Sequence, residues 1–143
     1  IFNALIGNHD AHAKNFSLLY AAQSAVLAPL YDVLSTAVYP TLTSRMAMKI
    51  GSKYKFSEVQ ARQWEQFAEA VGLSKAQARK RILALAKSMP STARELQSDP
   101  GRGFTCHGVV EQIVTLIEQR CALTVRRLSA PAADLEEGTE PCQ

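Results

Sequence analysis

Gly7-Asn8-His9-Asp10-Ala11-His12-Ala13-Lys14-Asn15 is the polar stretch, near the start of the chain, around which the rest of the sequence is organised. Its nine residues include one Asp, two His, one Lys and two Asn, and apolar residues flank it on both sides. Such a polar cluster between apolar segments indicates a loop held open between two buried elements. The polar side chains are expected to converge on a ligand.

The segments on either side of this loop predict a short helix and a β-hairpin. Apolar residues within 1–6 have helical spacing, and Gly7 can end that helix in a left-handed conformation. Two short apolar runs within 16–31 are joined by a small-residue linker and predict an antiparallel hairpin. Because a hairpin returns the chain to where it began, we expect Asp32 to lie close to Asn15.

The remainder of the chain predicts a mainly α fold. Arg45–Ile50 alternates in residue type and predicts a short strand, followed by a basic loop that contains Lys53 and Lys55. Apolar residues then recur with helical period as far as Leu128. This periodicity predicts three helices that form a bundle, at about 59–71, 74–96 and 107–128.

Length and composition indicate one globular domain. The chain has 143 residues, of which 47% are hydrophobic and 20% are charged. No apolar run is long enough to span a bilayer, and the first residues lack the basic region of a signal peptide. The three cysteines fit neither a disulfide framework nor a zinc motif, which favours a reducing cytoplasm.

Charge is distributed unevenly along the chain. Residues 129–143 hold four of the 13 acidic residues and none of the 16 basic ones, so residues 1–128 carry an excess of seven positive charges. The composition of 129–143 predicts a flexible acidic tail. The basic excess favours anionic partners such as nucleotide, RNA or an acidic protein face, without choosing among them.

The polar residues of the loop suit phosphoryl transfer. Asp10 and Asn15 have the spacing of the D-x-x-x-x-N catalytic loop, in which a carboxylate orients the attacking hydroxyl and takes its proton. Asn15 and Asp32 offer the amide and carboxylate oxygens that Mg²⁺ prefers. Lys14 is expected to neutralise charge on the transferred phosphoryl group, and His12 to hold the loop or to share that task.

These residues carry a family resemblance. The motif at 7–19, followed by Leu27-Ala28-Pro29-Leu30-Tyr31-Asp32-Val33 and Tyr39-Pro40, resembles the C-terminal part of the HipA-like toxin kinases of bacterial toxin–antitoxin pairs. The resemblance implies the helical C-terminal lobe of a protein-kinase-like fold, with a small hairpin next to the catalytic loop. It implies Asp10 as the catalytic Asp, with Asn15 and Asp32 as the metal-binding residues.

The resemblance also implies cofactors and partners. These are Mg²⁺ and ATP, a protein Ser or Thr substrate such as an aminoacyl-tRNA synthetase, and a helix-turn-helix antitoxin through which DNA is bound indirectly. A membrane partner is not expected. No stretch of this chain resembles the lysine-bearing strand and phosphate loop with which kinases hold ATP. The expectation is therefore that this chain alone binds Mg-ATP weakly and is inactive.

Two other function classes stay open at this point. A metal-dependent phosphohydrolase could use the His9-Asp10 pair, although that chemistry needs further His and Asp ligands. A zinc site from His9, His12, Cys106 and His107 lacks ligand spacing. A non-catalytic binding module would rest on the basic excess alone. Metal bound between Asn15 and Asp32 favours the kinase, and metal at His9 and Asp10 favours the hydrolase.

Overall fold

The computed structural model describes residues 1–21, 24–105 and 107–130 and consists mainly of helices with two small antiparallel hairpins. The helices and strands have the following bounds: α1 Phe2–Ile6, β1 Leu18–Ala21, β2 Ser24–Leu27, β3 Arg45–Ile50, β4 Lys53–Lys55, α2 Ala61–Ala70, α3 Lys75–Ser98 and α4 Gly108–Ser129. Short 3₁₀ turns occur at Ala13–Asn15, Thr36–Val38, Phe56–Glu58 and Pro100–Arg102. The predicted tail from residue 131 onward lies outside the described residues.

The first helix and the hairpin agree with the sequence predictions. α1 ends at Gly7, which has the left-handed φ of 79°. β1 and β2 pair antiparallel with Leu18 opposite Leu27 and Ala21 opposite Ser24. β2 ends two residues before Pro29, which lacks the N–H that a longer ladder would need.

The second hairpin corrects one expectation. β3 was predicted, but the basic segment after it is a strand and not a loop. β4 pairs antiparallel with β3, and the register shifts between Arg45 and Ile50. Alternating Lys and Tyr side chains in only three residues give too short a pattern to reveal a strand.

α2, α3 and α4 form the bundle and bury most of the core. α3 and α4 make the most extensive contact, while α2 packs on α3 and α1 packs on α4. The apolar side chains of the predicted helices are largely buried as expected. Two that lie near the helix ends differ: Val71 is exposed and Val110 is only half-buried. The most deeply buried apolar side chains are Leu5, Val59, Ala68, Ile82 and Cys121.

A charged cluster joins the two long helices at their surface. The Arg94 guanidinium donates to both carboxylate oxygens of Glu118 at 2.7 Å and to both oxygens of Glu111 at 2.9 Å.

No helix within the described ranges is both long and apolar enough for a membrane span.

Candidate active site

The polar loop is fixed where it leaves α1. The left-handed Gly7 lies against α4 and the Thr36–Val38 turn, since an added Cβ would come within 2.6 Å of Leu116 Cδ2 and 2.9 Å of Ala37 Cβ. The Gly7 carbonyl accepts from the Ala37 amide at 3.0 Å. These contacts hold the backbone of Gly7, where the loop begins, in one position.

A network of side-chain amides then brings the two distant parts of the site together. Asn15 Nδ2 donates to Asp32 Oδ2 at 2.5 Å, and Asn15 Oδ1 accepts from the His12 amide at 2.9 Å. Asn8 Nδ2 donates to the Asp32 carbonyl at 3.0 Å, and Asn8 Oδ1 accepts from the Asp10 amide at 3.1 Å. The expected proximity of Asn15 and Asp32 is thus present, with Asn8 as a second bridge.

Asp32 has an unusual backbone conformation. Its φ of 55° makes it the one non-glycine residue with positive φ in the described parts of the chain. Asp tolerates this region better than most residues, but the conformation still costs about 1 kcal/mol or more. The hydrogen bonds from Asn8 and Asn15 hold Asp32 in this conformation, which directs its carboxylate towards Asn15.

Asp10 and Lys14 present their side chains to solvent beside this pair. Both residues are exposed. The Asp10 carboxylate makes no hydrogen bond or ion pair to any residue that the structure describes, so it is free to accept a proton from a ligand. Tyr31 Oη donates to the Lys14 carbonyl at 2.5 Å and contacts Ser17 Oγ at 3.0 Å, which ties the loop to the segment between β2 and Asp32.

His12 is half-buried at the start of the Ala13–Asn15 turn. Its Nδ1 is buried and has no hydrogen-bond partner among the described residues. A buried polar atom without a partner is costly, and such atoms are enriched where a ligand or water completes the structure. His12 Nδ1 therefore does not hold the loop by a hydrogen bond to a described residue, and a role of His12 in phosphoryl transfer stays a prediction.

His9 is directed away from this site and into the protein. Its Nδ1 contacts the Thr43 carbonyl at 3.0 Å, and its Nε2 contacts a guanidinium nitrogen of Arg120 at 2.8 Å. Burial lowers the pKa of His9, and the Arg120 charge lowers it further. With both ring nitrogens engaged, His9 has none to offer a metal, which argues against the His9-Asp10 hydrolase.

Sequence reasoning missed two residues that organise the loop. Asn8 stood inside the motif, but its role as a bridge to Asp32 depends on a contact 24 positions away. Arg120 lies in α4, where the sequence shows it as one of three arginines on an amphipathic helix. No local signal distinguishes it, because its partners are more than 100 positions earlier in the chain.

The donor set fits a hard divalent cation. Asp32 supplies a carboxylate, and Asn15 Oδ1 keeps a second lone pair besides the one used by the His12 amide. Mg²⁺ is bound in proteins by one or two such oxygens and keeps several waters. Within the described ranges, no cluster of three or more His, Cys, Asp or Glu side chains could hold a metal by itself. The cation would therefore be completed by water and substrate phosphates.

Comparisons with known proteins identify relatives of the chain. Residues 1–93 match the family described as the HipA-like C-terminal domain. The chain is 43% identical over 99 residues to a Sinorhizobium fredii protein provisionally named a kinase, a match that covers 69% of this chain and 24% of the relative. It is 28% identical over 96 residues to the serine/threonine-protein kinase toxin HipA of Shewanella oneidensis, covering 67% of this chain and 22% of the relative. The chain thus spans about a quarter of the length of these relatives.

A solved structure has the same fold. The HipA chain in a Shewanella oneidensis complex of HipA, HipB and operator DNA superposes with a TM-score of 0.76 at 24% sequence identity. The superposition covers 89% of this chain and 30% of that one. This likeness extends beyond residue 93 into the helical bundle.

Proposed function

Because the chain belongs to the family of HipA-like C-terminal domains, we propose that it carries the catalytic loop and metal-binding residues of an ATP-dependent serine/threonine protein kinase. The proposal rests chiefly on one observation: the hydrogen bond from Asn15 Nδ2 to Asp32 Oδ2 brings together the two side chains whose oxygens are the candidate metal ligands. Asn8 links the same Asp32 to the backbone of Asp10. Two relatives named as kinases support the same activity.

Each residue has a role in the proposed reaction. The Asp10 carboxylate would accept the proton of a Ser or Thr hydroxyl as that oxygen bonds to the γ-phosphorus of ATP; the bond from that phosphorus to the β–γ bridging oxygen would break, and ADP would leave. Asn15 and Asp32 would hold Mg²⁺, which when bound neutralises phosphate charge. The exposed Lys14 ammonium would neutralise developing negative charge on the phosphoryl oxygens. His12 would share that task only if its buried Nδ1 became accessible.

The proposed kinase includes more than this chain. Both faces of the β1–β2 hairpin expose apolar side chains, with Leu18 54%, Leu19 51% and Leu27 60% exposed. Contiguous apolar surface of this kind marks an interaction site. We propose that the part of the full-length protein that this chain does not span covers the hairpin and supplies the groups that hold ATP. This chain alone should then bind Mg-ATP weakly and transfer no phosphate, and tight binding of Mg-ATP by isothermal titration calorimetry would contradict this.

A metal-binding experiment tests the Asn15–Asp32 pair in the chain itself. Mn²⁺ binding, followed by water-proton relaxation, should weaken at least about tenfold in Asp32→Asn, because the carboxylate is the only charged ligand in the donor set. Glu95→Gln, which removes one exposed carboxylate from α3, should bind Mn²⁺ like the parent chain. Equal affinity in the parent chain and Asp32→Asn would remove the proposed site.

A chimera tests phosphoryl transfer. This chain would replace the matching region of the Sinorhizobium fredii relative, and transfer of labelled γ-phosphate from ATP to protein would be followed. Asp10→Asn should lower the turnover number by about 10²- to 10⁴-fold, the usual contribution of a general base. Glu95→Gln again serves as the control. An active chimera that is unaffected by Asp10→Asn would refute the assignment of the base.

We also propose partners for the full-length protein. The solved Shewanella oneidensis complex contains HipA, HipB and operator DNA. By this likeness, the full-length protein would bind an antitoxin that corresponds to HipB and reach operator DNA with it. The family resemblance of the sequence further implies a helix-turn-helix fold for the antitoxin, a cytoplasmic location and an aminoacyl-tRNA synthetase as the class of substrate. Copurification of the full-length protein with such an antitoxin, and a joint shift of operator DNA in a gel, would test the pairing. Failure to copurify would remove it.

A further inference from the structure

Arg120, in the middle of α4, reaches across the molecule to the segment that carries the polar loop. One terminal guanidinium nitrogen donates to the Ala4 carbonyl at 2.7 Å, and the other contacts His9 Nε2 at 2.8 Å. The guanidinium also lies over the Phe56 ring, 4.4 Å from its centroid. One side chain therefore binds the helix before the loop, the loop itself and a turn of the bundle.

This arrangement is unusual for a largely buried cation. None of the ion pairs among the described residues includes Arg120. Burial lowers its pKa to about 10, so the guanidinium remains charged at neutral pH. Neutral acceptors and an aromatic face compensate less of the desolvation than a carboxylate does. An apolar side chain of similar length at position 120 would pack α4 against its neighbours as well as Arg120 does.

The contact with His9 defines the state of that ring. Because the guanidinium only donates, His9 Nε2 must accept, and its proton must lie on Nδ1, where it is donated to the Thr43 carbonyl. The His9 backbone is held as well, with its amide donating to Thr36 Oγ1 at 2.8 Å and its carbonyl accepting from Ala47 at 2.7 Å. The residue immediately before Asp10 is thus bound through its ring and both backbone groups.

We propose that Arg120 is a positioning residue for the phosphoryl-transfer loop: through neutral His9 it holds in place the backbone from which the Asp10 side chain projects. This inference rests on the proposed function. Arg120 touches neither Asp10, Asn15 nor Asp32, and acts on the reaction only through the loop. Since an error of about 1 Å in a catalytic group can cost about 10²-fold in rate, loss of this contact should affect turnover rather than substrate binding.

The test is a double-mutant cycle between Arg120 and His9 in the active chimera. Arg120→Met and His9→Gln should each lower the turnover number between about ten- and 100-fold, with the KM for ATP and for protein substrate changed less than about threefold. The double variant should be no worse than the more affected single variant, because both remove one linkage. Arg126→Met, on the exposed side of α4, is the matched control and should leave turnover unchanged.

A second measurement uses this chain alone and guards against misfolding. Arg120→Met should speed amide hydrogen exchange of His9 and Asp10 by about tenfold or more, while amides of α3 keep their parent rates. Arg120→Lys retains the charge but carries all its donors on one nitrogen, whereas Arg120 uses two nitrogens for Ala4 and His9, and it should give an intermediate rate of exchange.

The outcomes separate the two proposals. If Asp10→Asn abolishes transfer but Arg120→Met leaves turnover and loop exchange unchanged, the positioning role is wrong and the kinase assignment stands. Additive effects of the two variants, or a loss confined to the amount of folded protein, would also overturn the positioning role. An active chimera insensitive to Asp10→Asn overturns the kinase assignment itself.

Discussion

Replacing Gly7 by Ala should destabilise the protein far more than the same replacement at Gly72. The two glycines have nearly the same backbone conformation, with φ of 79° and 70°, and each ends a helix. They differ in their surroundings, because a Cβ at Gly7 would lie 2.6 Å from Leu116 Cδ2 and 2.9 Å from Ala37 Cβ. A Cβ at Gly72 would meet nothing within 4 Å.

The structure gives the magnitude of each change. Placing an L-residue in the left-handed region costs about 1 kcal/mol, and this is the whole effect expected at Gly72. At Gly7 the added methyl group must also displace α4 or the Thr36–Val38 turn, and overpacking of this kind costs about 1–3 kcal/mol more. The free energy of unfolding should therefore fall by about 2–4 kcal/mol in Gly7→Ala.

Urea unfolding of the two variants and the parent chain measures this difference. Changes in the midpoint at constant slope report changes in stability. Because Gly7 is the entry to the polar loop, Gly7→Ala should also weaken Mn²⁺ binding, whereas Gly72→Ala should not. Equal destabilisation by the two substitutions, within about 0.5 kcal/mol, would refute the close packing of Gly7 against α4.

Three further predictions concern titration and charge. Burial lowers the pKa of His9 in the folded state from its ordinary value of 6.5. Because the unfolded chain then takes up the proton first, stability should fall as pH decreases below about 6.5. Urea midpoints from pH 7.5 to 5 should show this fall, and His9→Gln should make it smaller. Arg94→Met should lower the thermal midpoint by removing the ion pairs with Glu111 and Glu118. The difference in midpoint from the parent chain should shrink in high salt, since these side chains are partly exposed. A difference that does not depend on salt would contradict an ionic origin. Burial raises the pKa of the Cys121 thiol to about 11. Iodoacetamide at pH 8 should therefore leave Cys121 unmodified in the folded protein and modify it in urea, which mass spectrometry can measure.

Much of the site was predictable because its parts are local. The loop, its helix before and its hairpin after are contiguous in sequence, and antiparallel pairing places Asp32 beside Asn15 once the hairpin forms. The left-handed Gly7 was predictable for the same reason, since a glycine after an apolar helical pattern is a common helix end.

Other features depend on contacts that no local pattern encodes. The inward direction of His9 is set by Thr43 and by Arg120, which lies 111 positions away. A motif containing adjacent His and Asp suggests that both face one ligand, but here the His9 ring is buried against its partners and Asp10 is exposed. β4 was missed because its three residues gain their pairing from β3 rather than from their own sequence.

Except for β4, the sequence by itself determined the types of the helices and strands, the apolar stripes of the bundle and which residues of the loop can do chemistry, because each of these is expressed over a few neighbouring positions. Only the tertiary structure decided which of the loop's polar groups are free. Among the described residues the Asp10 carboxylate has no partner, Asn15 is joined to Asp32, and His9 is engaged by Arg120. The physical reason is that a hydrogen bond depends on distance and direction in space. Arg120 in the last helix of the chain supplies the donor that holds His9 in the loop near its beginning.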